Sequence, residues 1–309
     1  VNEKGLVNYL TENFDFPFGK GIGDDTSVTS TGSGSQLITK DVLVEDVHFR
    51  LRDFSLQELA LKALAVNLSD IAAMGGVPRY FYLGLGFPQK LGEPGLYEFF
   101  NGLKEGCDKW QVYLAGGDYS ASKNLFISIT VVGDAYWPVY RNGAKEGDLI
   151  GVTGTLGASA LGLQLLERGI DSGHFVEAHK NPQPQVQKGL KLAPPANAMI
   201  DISDGLLIDL QRILDASQKG AHIRYEDIPK PDQLENVCRE HELDPVKTVL
   251  TGGEDYQLLF TLPPEDLKQL QPDQYHIIGQ ITPEPGQLTL THNNQPLTLP
   301  TPGYDHFLQ

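Results

Sequence analysis

The stretch Ser55 to Gly76, SLQELALKALAVNLSDIAAMGG, most narrows the folds open to this chain. It is the one segment apolar enough to suggest a membrane span, yet Lys62 and Asp70 interrupt it, so a span is excluded. Ser55 and Glu58 form a capping-box pattern at its start. Leu59, Ala63, Val66 and Ile71 recur at roughly helical spacing. Gly75 and Gly76 supply a stop, with Pro78 just beyond. The spacing predicts a long helix of a globular protein.

Strand signals flank this helix. SQLITKDVLV before it and YFYLGLGF after it read as strands, followed by a helix in GLYEFFNGLKEGCDKW and strands in QVYLAGGD and LFISITVVG. Pro138 and Gly143 interrupt regular structure in YWPVYRNGAKEGD, which places a domain boundary at 137/138. Beyond it, LIGVTG reads as a strand, GASALGLQLLERG as a helix, and MIDISDGLLIDLQRILDAS as a strand running into a helix. HIRYEDIP, EDYQLLFTL and YHIIGQIT complete the strands. With 309 residues the chain is too long for one ordinary core and sufficient for two mixed domains, 1–137 and 138–309, of α/β or α+β class.

The formal net charge of -16 argues against nucleic acid or an anionic membrane as the main partner. Small anionic ligands stay open, provided a cation bridges them to the protein. Cys107 and Cys238 lie far apart without metal-ligand spacing, which suits a reducing cytoplasm. The first ten residues, VNEKGLVNYL, lack the apolar core of a signal peptide.

Aspartates gather beside glycines, at strand ends and helix starts. Asp24 and Asp25 follow the turn in GIGDDTSV, and Asp41 ends LITKD. Asp70 lies three residues after Asn67 and so on the same helix face. Asp118 follows AGG, Asp201 and Asp204 flank Ser203, and Glu254 and Asp255 follow TGG. Singly, each fits a turn or a cap, and for Asp204 an N-cap is the better reading. Together they look like hard oxygen ligands for Mg²⁺, which takes a few carboxylates and completes its octahedron with waters and substrate phosphates. FGKGIG is no P-loop, because Phe14 stands where the first glycine is required and Gly21 where Ser or Thr is. Dinucleotide, zincin and nucleophile-elbow patterns are also absent.

IGDDTSV, LITKDVLVEDVHF, KALAVNLSDIAAMGG, AGGD, DISDGL and GGEDYQLLF resemble, in order, the successive motifs of the thiamine-monophosphate kinase family. That family belongs to a superfamily with aminoimidazole ribonucleotide synthetase, selenophosphate synthetase and HypE. The resemblance runs from about Gly21 to GYDHF near the end of the chain. It implies a cytoplasmic enzyme that moves the ATP γ-phosphate onto thiamine monophosphate, the last step in making thiamine diphosphate. It implies an N-terminal α/β domain whose sheet pairs with its twin across a homodimer, and a C-terminal α+β domain. Carried over by motif, Asp25, Asp41, Asp70, Asp118, Asp201 and Asp204 hold several Mg²⁺ ions around ATP, with Thr39 and Lys40 in the pair before the metal aspartate. Phe100, Gly117, Asp118, Arg141 and Ser203 match nucleotide positions, and His48, Glu254 and Tyr304 match positions facing thiamine monophosphate.

One departure is Lys40, where the family usually has a small hydroxyl residue. Its ammonium cannot coordinate a metal, so contact there would run through the backbone, or the side chain would touch phosphate instead. Asp24 supports the turn or stands behind the metal ligands. No general base is expected, because a phosphate acceptor is largely deprotonated at neutral pH. The task is to suppress repulsion between two polyanions and align the reacting oxygens. Two alternatives compete with this reading. One is another ATP-using enzyme of the superfamily, similar to aminoimidazole ribonucleotide synthetase; the other is a non-catalytic Mg-nucleotide-binding regulator.

Overall fold

The structure, a computed structural model, describes residues 11–12, 17–31, 34–171, 173–272 and 275–297. Its first sheet is built from β1 (Gly19–Lys20), β2 (Ser27–Thr31), β3 (Gly34–Val44), β4 (Val77–Pro88), β5 (Tyr113–Ser122) and β6 (Phe126–Ala135), in the order β1-β2-β3-β6-β4-β5. β3 and β6 pair antiparallel from Ser35 opposite Ala135 to Val44 opposite Phe126, whereas β4 and β5 run parallel. Parallel neighbours need a crossover. Here α2 (Gly92–Trp110) supplies it. Leu37, Leu43, Phe81, Leu83, Ile127 and Ile129 alternate along their strands to form one apolar face.

The helix anticipated from Ser55 onward is α1 (Leu56–Ala73). Its capping box is present: Glu58 N–H donates to Ser55 Oγ at 3.1 Å, and Ser55 N–H donates to Glu58 Oε2 at 2.6 Å. Gly75, at φ 67, turns the chain out of the helix. Leu59, Ala63, Leu64 and Leu68 pack with the first sheet and with Phe99 and Leu103 of α2. Ala72 and Ala73 face the other way, against Leu192, Met199, Leu258 and Phe260 of the second half of the chain. α1 is thus covered on both sides, so even its polar Lys62, Asn67 and Ser69 are buried.

The second sheet contains β7 (Leu149–Val152), β8 (Ala198–Asp201), β9 (Gly220–Arg224), β10 (Leu258–Leu262), β11 (His276–Thr282), β12 (Leu288–His292) and β13 (Gln295–Pro296), in the order β13-β12-β9-β11-β7-β10-β8. It is antiparallel except where β12 runs parallel to β9. α3 (Ala158–Glu167) and α6 (Leu206–Ser217) bury Leu161, Leu165, Leu206, Leu210 and Ile213 against it. The short helices α4 (His174–Lys180), α5 (Val186–Leu192), α7 (Leu234–Glu240) and α8 (Pro245–Thr251), and the strands β12 and β13, have no counterpart in the sequence reading. They are too short to show a period. The α/β and α+β halves expected from the resemblance are the halves seen.

Every residue of β5 is exposed, and the strand lies at the edge of its sheet. Among the described residues no helix is long and apolar enough to cross a membrane.

Candidate active site

Three carboxylates converge where the two halves of the chain meet. Asp25 enters from the loop before β2, Asp70 from α1, and Asp201 from the end of β8; each offers an oxygen within 4.8 Å of the others. Neighbouring side chains aim them. Thr39 Oγ1 donates to Asp70 Oδ2 at 2.5 Å, and Ser69 Oγ donates to Asp201 Oδ2 at 2.6 Å. Asn67 Oδ1 accepts from the Asp41 N–H at 2.9 Å, fixing the end of β3 to α1. Arg141 grips Asp25 with two bonds, Nη2 to Oδ1 at 2.8 Å and Nε to Oδ2 at 3.2 Å. Asp24 accepts the Arg141 backbone N–H at 2.8 Å and pairs with Lys20, so it stands behind Asp25 as a support.

Burial, together with the neighbouring carboxylates, holds Asp70 and Asp201 well above the usual carboxylate range. Burial, with Asp204 and Asp25, pushes Asp41 up to about 6. Burial would lower Arg141, but Asp25 outweighs it and keeps the guanidinium charged. Negative charge packed this closely calls for a cation, and the donors are hard oxygens. Asp25, Asp70 and Asp201, with Asp41 and Asp204 beside them, fit Mg²⁺.

Asp204 is not the cap of α6. Gly205 occupies that position with φ 120, and the N–H groups of Ser203, Asp204 and Gly205 all donate to Asp209 Oδ2 at 3.1 Å. A carboxylate from inside the helix therefore organises the loop and frees Asp204. Arg212 bridges the two acids, 2.6 Å from Asp209 Oδ1 and 2.7 Å from Asp204 Oδ2. Burial pushes Asp209 up to about 7, with Arg212 acting against it.

A cavity of about 700 Å³ opens from this cluster. Asp41, Asp70, Asp201, Ser203 and Asp204 line it together with His48, Phe49, Phe54, Lys62, His179 and Glu254. His48 Nδ1 accepts the Val44 N–H at 3.1 Å, which sets the turn after β3. Glu254 takes a left-handed backbone, φ 63, while the adjacent Asp255 accepts N–H groups from Gly157 at 2.6 Å and Ser159 at 3.1 Å. Burial would raise Glu254, but Lys62 and His179 outweigh it and hold the carboxyl well below its usual range.

Of the residues carried over by motif, Asp25, Thr39, Asp41, Asp70, Asp201, Asp204, Arg141, Ser203, His48 and Glu254 come together here. Lys40 does not. Strand alternation sets it on the opposite face from Thr39, exposed, with Nζ donating to Thr130 Oγ1 at 3.2 Å. Gly117 and Asp118 lie on exposed β5, and Phe100 is half-exposed on α2, edge-to-face with Phe99; none of these lines the cavity. Tyr304 falls outside the described residues. Ser69, Lys62, His179, Asp209 and Arg212 were not singled out from sequence. Lys62 and Asp209 did carry a signal, each being a charge inside an apolar run.

The family model AIR synthase related protein, N-terminal domain, matches residues 23–135, and AIR synthase related protein, C-terminal domain, matches residues 145–290. Thiamine-monophosphate kinase of Aquifex aeolicus (strain VF5) is 35% identical over 270 residues, spanning 86% of this chain and 87% of the relative. The enzyme of the same name from Escherichia coli (strain K12) is 36% identical over 304 residues, 93% of this chain and 91% of the relative. Among solved structures, AaThiL complexed with AMPPCP and TMP matches with a TM-score of 0.90 and 32% identity, over 99% of this chain and 97% of that one.

Proposed function

The chain belongs to the thiamine-monophosphate kinase family, and on that premise we propose that it passes the ATP γ-phosphate directly to thiamine monophosphate with the help of Mg²⁺, giving thiamine diphosphate and ADP. The observation that carries the reading is one cavity lined by two chemically different sets of side chains. Asp41, Asp70, Asp201 and Asp204 suit cations, and Phe49, Phe54 and Glu254 suit a cationic heterocycle. A phosphate ester with a positively charged ring matches both sets.

Asp25, Asp70 and Asp201, together with Asp41 and Asp204, would hold the metal, with Asp118 joining by family position. Mg²⁺ so held supplies charge neutralisation between two polyanions and a template for their oxygens. Thr39 and Ser69 fix the carboxylate orientations, and Asp209 presents the Ser203 loop beside the nucleotide phosphates. Arg141 adds a charged guanidinium next to Asp25. An acceptor phosphate oxygen attacks the γ-phosphorus in line, the bond to the β,γ-bridging oxygen breaks, and ADP leaves; no side chain has to remove a proton. His48, Glu254 and Tyr304 receive the acceptor, and Arg141 and Ser203 the nucleotide, with Phe100 and Gly117, which lie outside the cavity, joining by family position only.

A homodimer completes the reading. β5 presents an edge with no strand partner among the described residues, carrying exposed Tyr113, Leu114 and Tyr119, which a second copy would cover. Free Cys107 and Cys238 suit the cytoplasm.

Purified protein given ATP, Mg²⁺ and thiamine monophosphate should form thiamine diphosphate and ADP. ATP binding without ADP release would favour a regulator and overturn the kinase reading. EDTA should abolish turnover and excess Mg²⁺ restore it; full activity in chelator would remove the metal from the reaction.

A further inference from the structure

Lys62 is a charged side chain in the middle of a helix that is covered on both sides, and only 1% of it is exposed. An ammonium withdrawn from water this far is tolerated only where it is fully partnered. Its Nζ donates to His179 O at 2.9 Å and to Glu254 Oε2 at 2.9 Å, and lies 5.3 Å from the centre of the Phe54 ring. Its protons are therefore committed within the protein.

The same oxygen of Glu254 has a second partner, His179 Nδ1 at 3.1 Å. Because an ionised carboxylate only accepts, this contact places the ring proton on Nδ1. Ser159 Oγ is also 3.1 Å from Nδ1, so serine, histidine and glutamate share one ring nitrogen. A nucleophilic relay needs both ring nitrogens, so the group is not one. The main chain is tied as well, with Glu254 N–H donating to Ser203 O at 2.7 Å. One carboxylate oxygen is thus held by donors from two helices, α1 and α4. The other, Oε1, has no donor among the described residues, and Glu254 lines the cavity.

We propose that Lys62, acting with His179, is a positioning residue for the acceptor: it locks Glu254 so that Oε1 meets the heterocyclic end of thiamine monophosphate, a neutral aminopyrimidine joined to a cationic thiazolium. The inference rests on the reading that this cavity takes thiamine monophosphate. Two features give it its physical content. Fixing Oε2 from two sides leaves Oε1 one orientation, so little ordering remains to be done on binding. Lys62 also keeps a buried carboxyl ionised, which preserves both its acceptor character and its attraction for a cation. The effect belongs to binding of the organic end and not to phosphoryl transfer, so it should appear in KM for the acceptor and leave kcat and the ATP KM alone.

The test is steady-state kinetics on the full chain with Mg²⁺ and saturating ATP, the fold of each variant being checked by its melting temperature. Lys62→Met keeps the length of the stem and removes the charge. It should raise KM for thiamine monophosphate by about tenfold, with kcat and the ATP KM changed by less than about threefold. His179→Leu should act in the same direction, and His179→Asn, whose amide nitrogen replaces Nδ1–H, should restore most of the loss. In a Glu254→Gln background, Lys62→Met should add less than about twofold, because its effect runs through Glu254. Should Lys62→Met fail to fold, the His179 pair decides the matter alone. An unchanged acceptor KM in both Lys62→Met and His179→Leu overturns the proposal. So does an equal rise in the ATP KM, or full additivity with Glu254→Gln. Wild-type protein that makes no thiamine diphosphate refutes the kinase reading and this proposal together; an active wild type with a flat KM refutes this proposal alone.

Discussion

Asp70→Asn should make the metal-free protein more stable and nearly inactive at once. Asp70 shares a 4.8 Å cluster with Asp25 and Asp201. At an effective dielectric of about 20, two unit charges at that separation repel by roughly 3 kcal/mol. Water in the cavity, partial protonation and Arg141 beside Asp25 all reduce that figure, leaving about 1–2 kcal/mol to be gained when one charge is removed. Asparagine keeps the shape and still offers an oxygen to Thr39. For a chain of this length such a gain raises Tm by about 2–3 °C. In saturating Mg²⁺ the order should reverse, because aspartate binds the cation better. Turnover should fall at least about a hundredfold, since on the proposed reading a metal ligand facing the transferred phosphate would be lost. Calorimetric melting in EDTA and in Mg²⁺, with ADP release measured on the same samples, tests both halves. A variant that melts below wild type in EDTA would refute the repulsion argument, and near-normal kcat would return Asp70 to the ordinary helix residues.

Asp209→Ala should lose about 3–5 kcal/mol, because three backbone N–H groups and Arg212 lose their acceptor in a buried loop. A shift in the urea midpoint worth under about 1 kcal/mol would show the loop to be held by something else. Stability of the protein in EDTA should fall as pH rises from about 5 to 8: Asp41 is held up to about 6, Asp209 and Asp255 up to about 7, so the folded chain binds more protons than the unfolded one across that window. His179, lowered by burial, acts oppositely but is a single group; a melting temperature that climbs over this range contradicts the sign. Light scattering at micromolar concentration should give twice the 33.9 kDa chain mass, and a fully active monomer would count against the β5 interface. Tyr304→Ala should raise KM for thiamine monophosphate several-fold to about thirtyfold without affecting ATP, while Tyr304→Phe or Tyr304→Trp keeps most of the affinity. Equal weakening of both substrates would make Tyr304 structural.

What the sequence determined by itself was local or combinatorial. The capping box at Ser55, the stop at Gly75 and the alternation in LFISITVVG depend on residues a few positions apart, so their elements were legible in the string. The order of the aspartate motifs was enough to indicate the family, and carboxylates beside glycines were enough to suggest a cation. What only the tertiary structure decided was who faces whom. Thr39 meets Asp70 across 31 positions, Arg141 meets Asp25 across 116, Ser69 meets Asp201 across 132, and Lys62 meets Glu254 across 192. No periodicity encodes such pairs, because they arise where α1 is covered by both halves of the chain. The same limit explains the cap of α6. Asp204 has the residue type and position of an N-cap, but the three N–H groups go to Asp209, whose side chain folds back from the first turn of the helix. Lys40 and Thr39 are adjacent in the chain yet lie on opposite faces of β3, one reaching Thr130 and the other the acidic cluster. Sequence names the donors; packing decides which of them can share one ion.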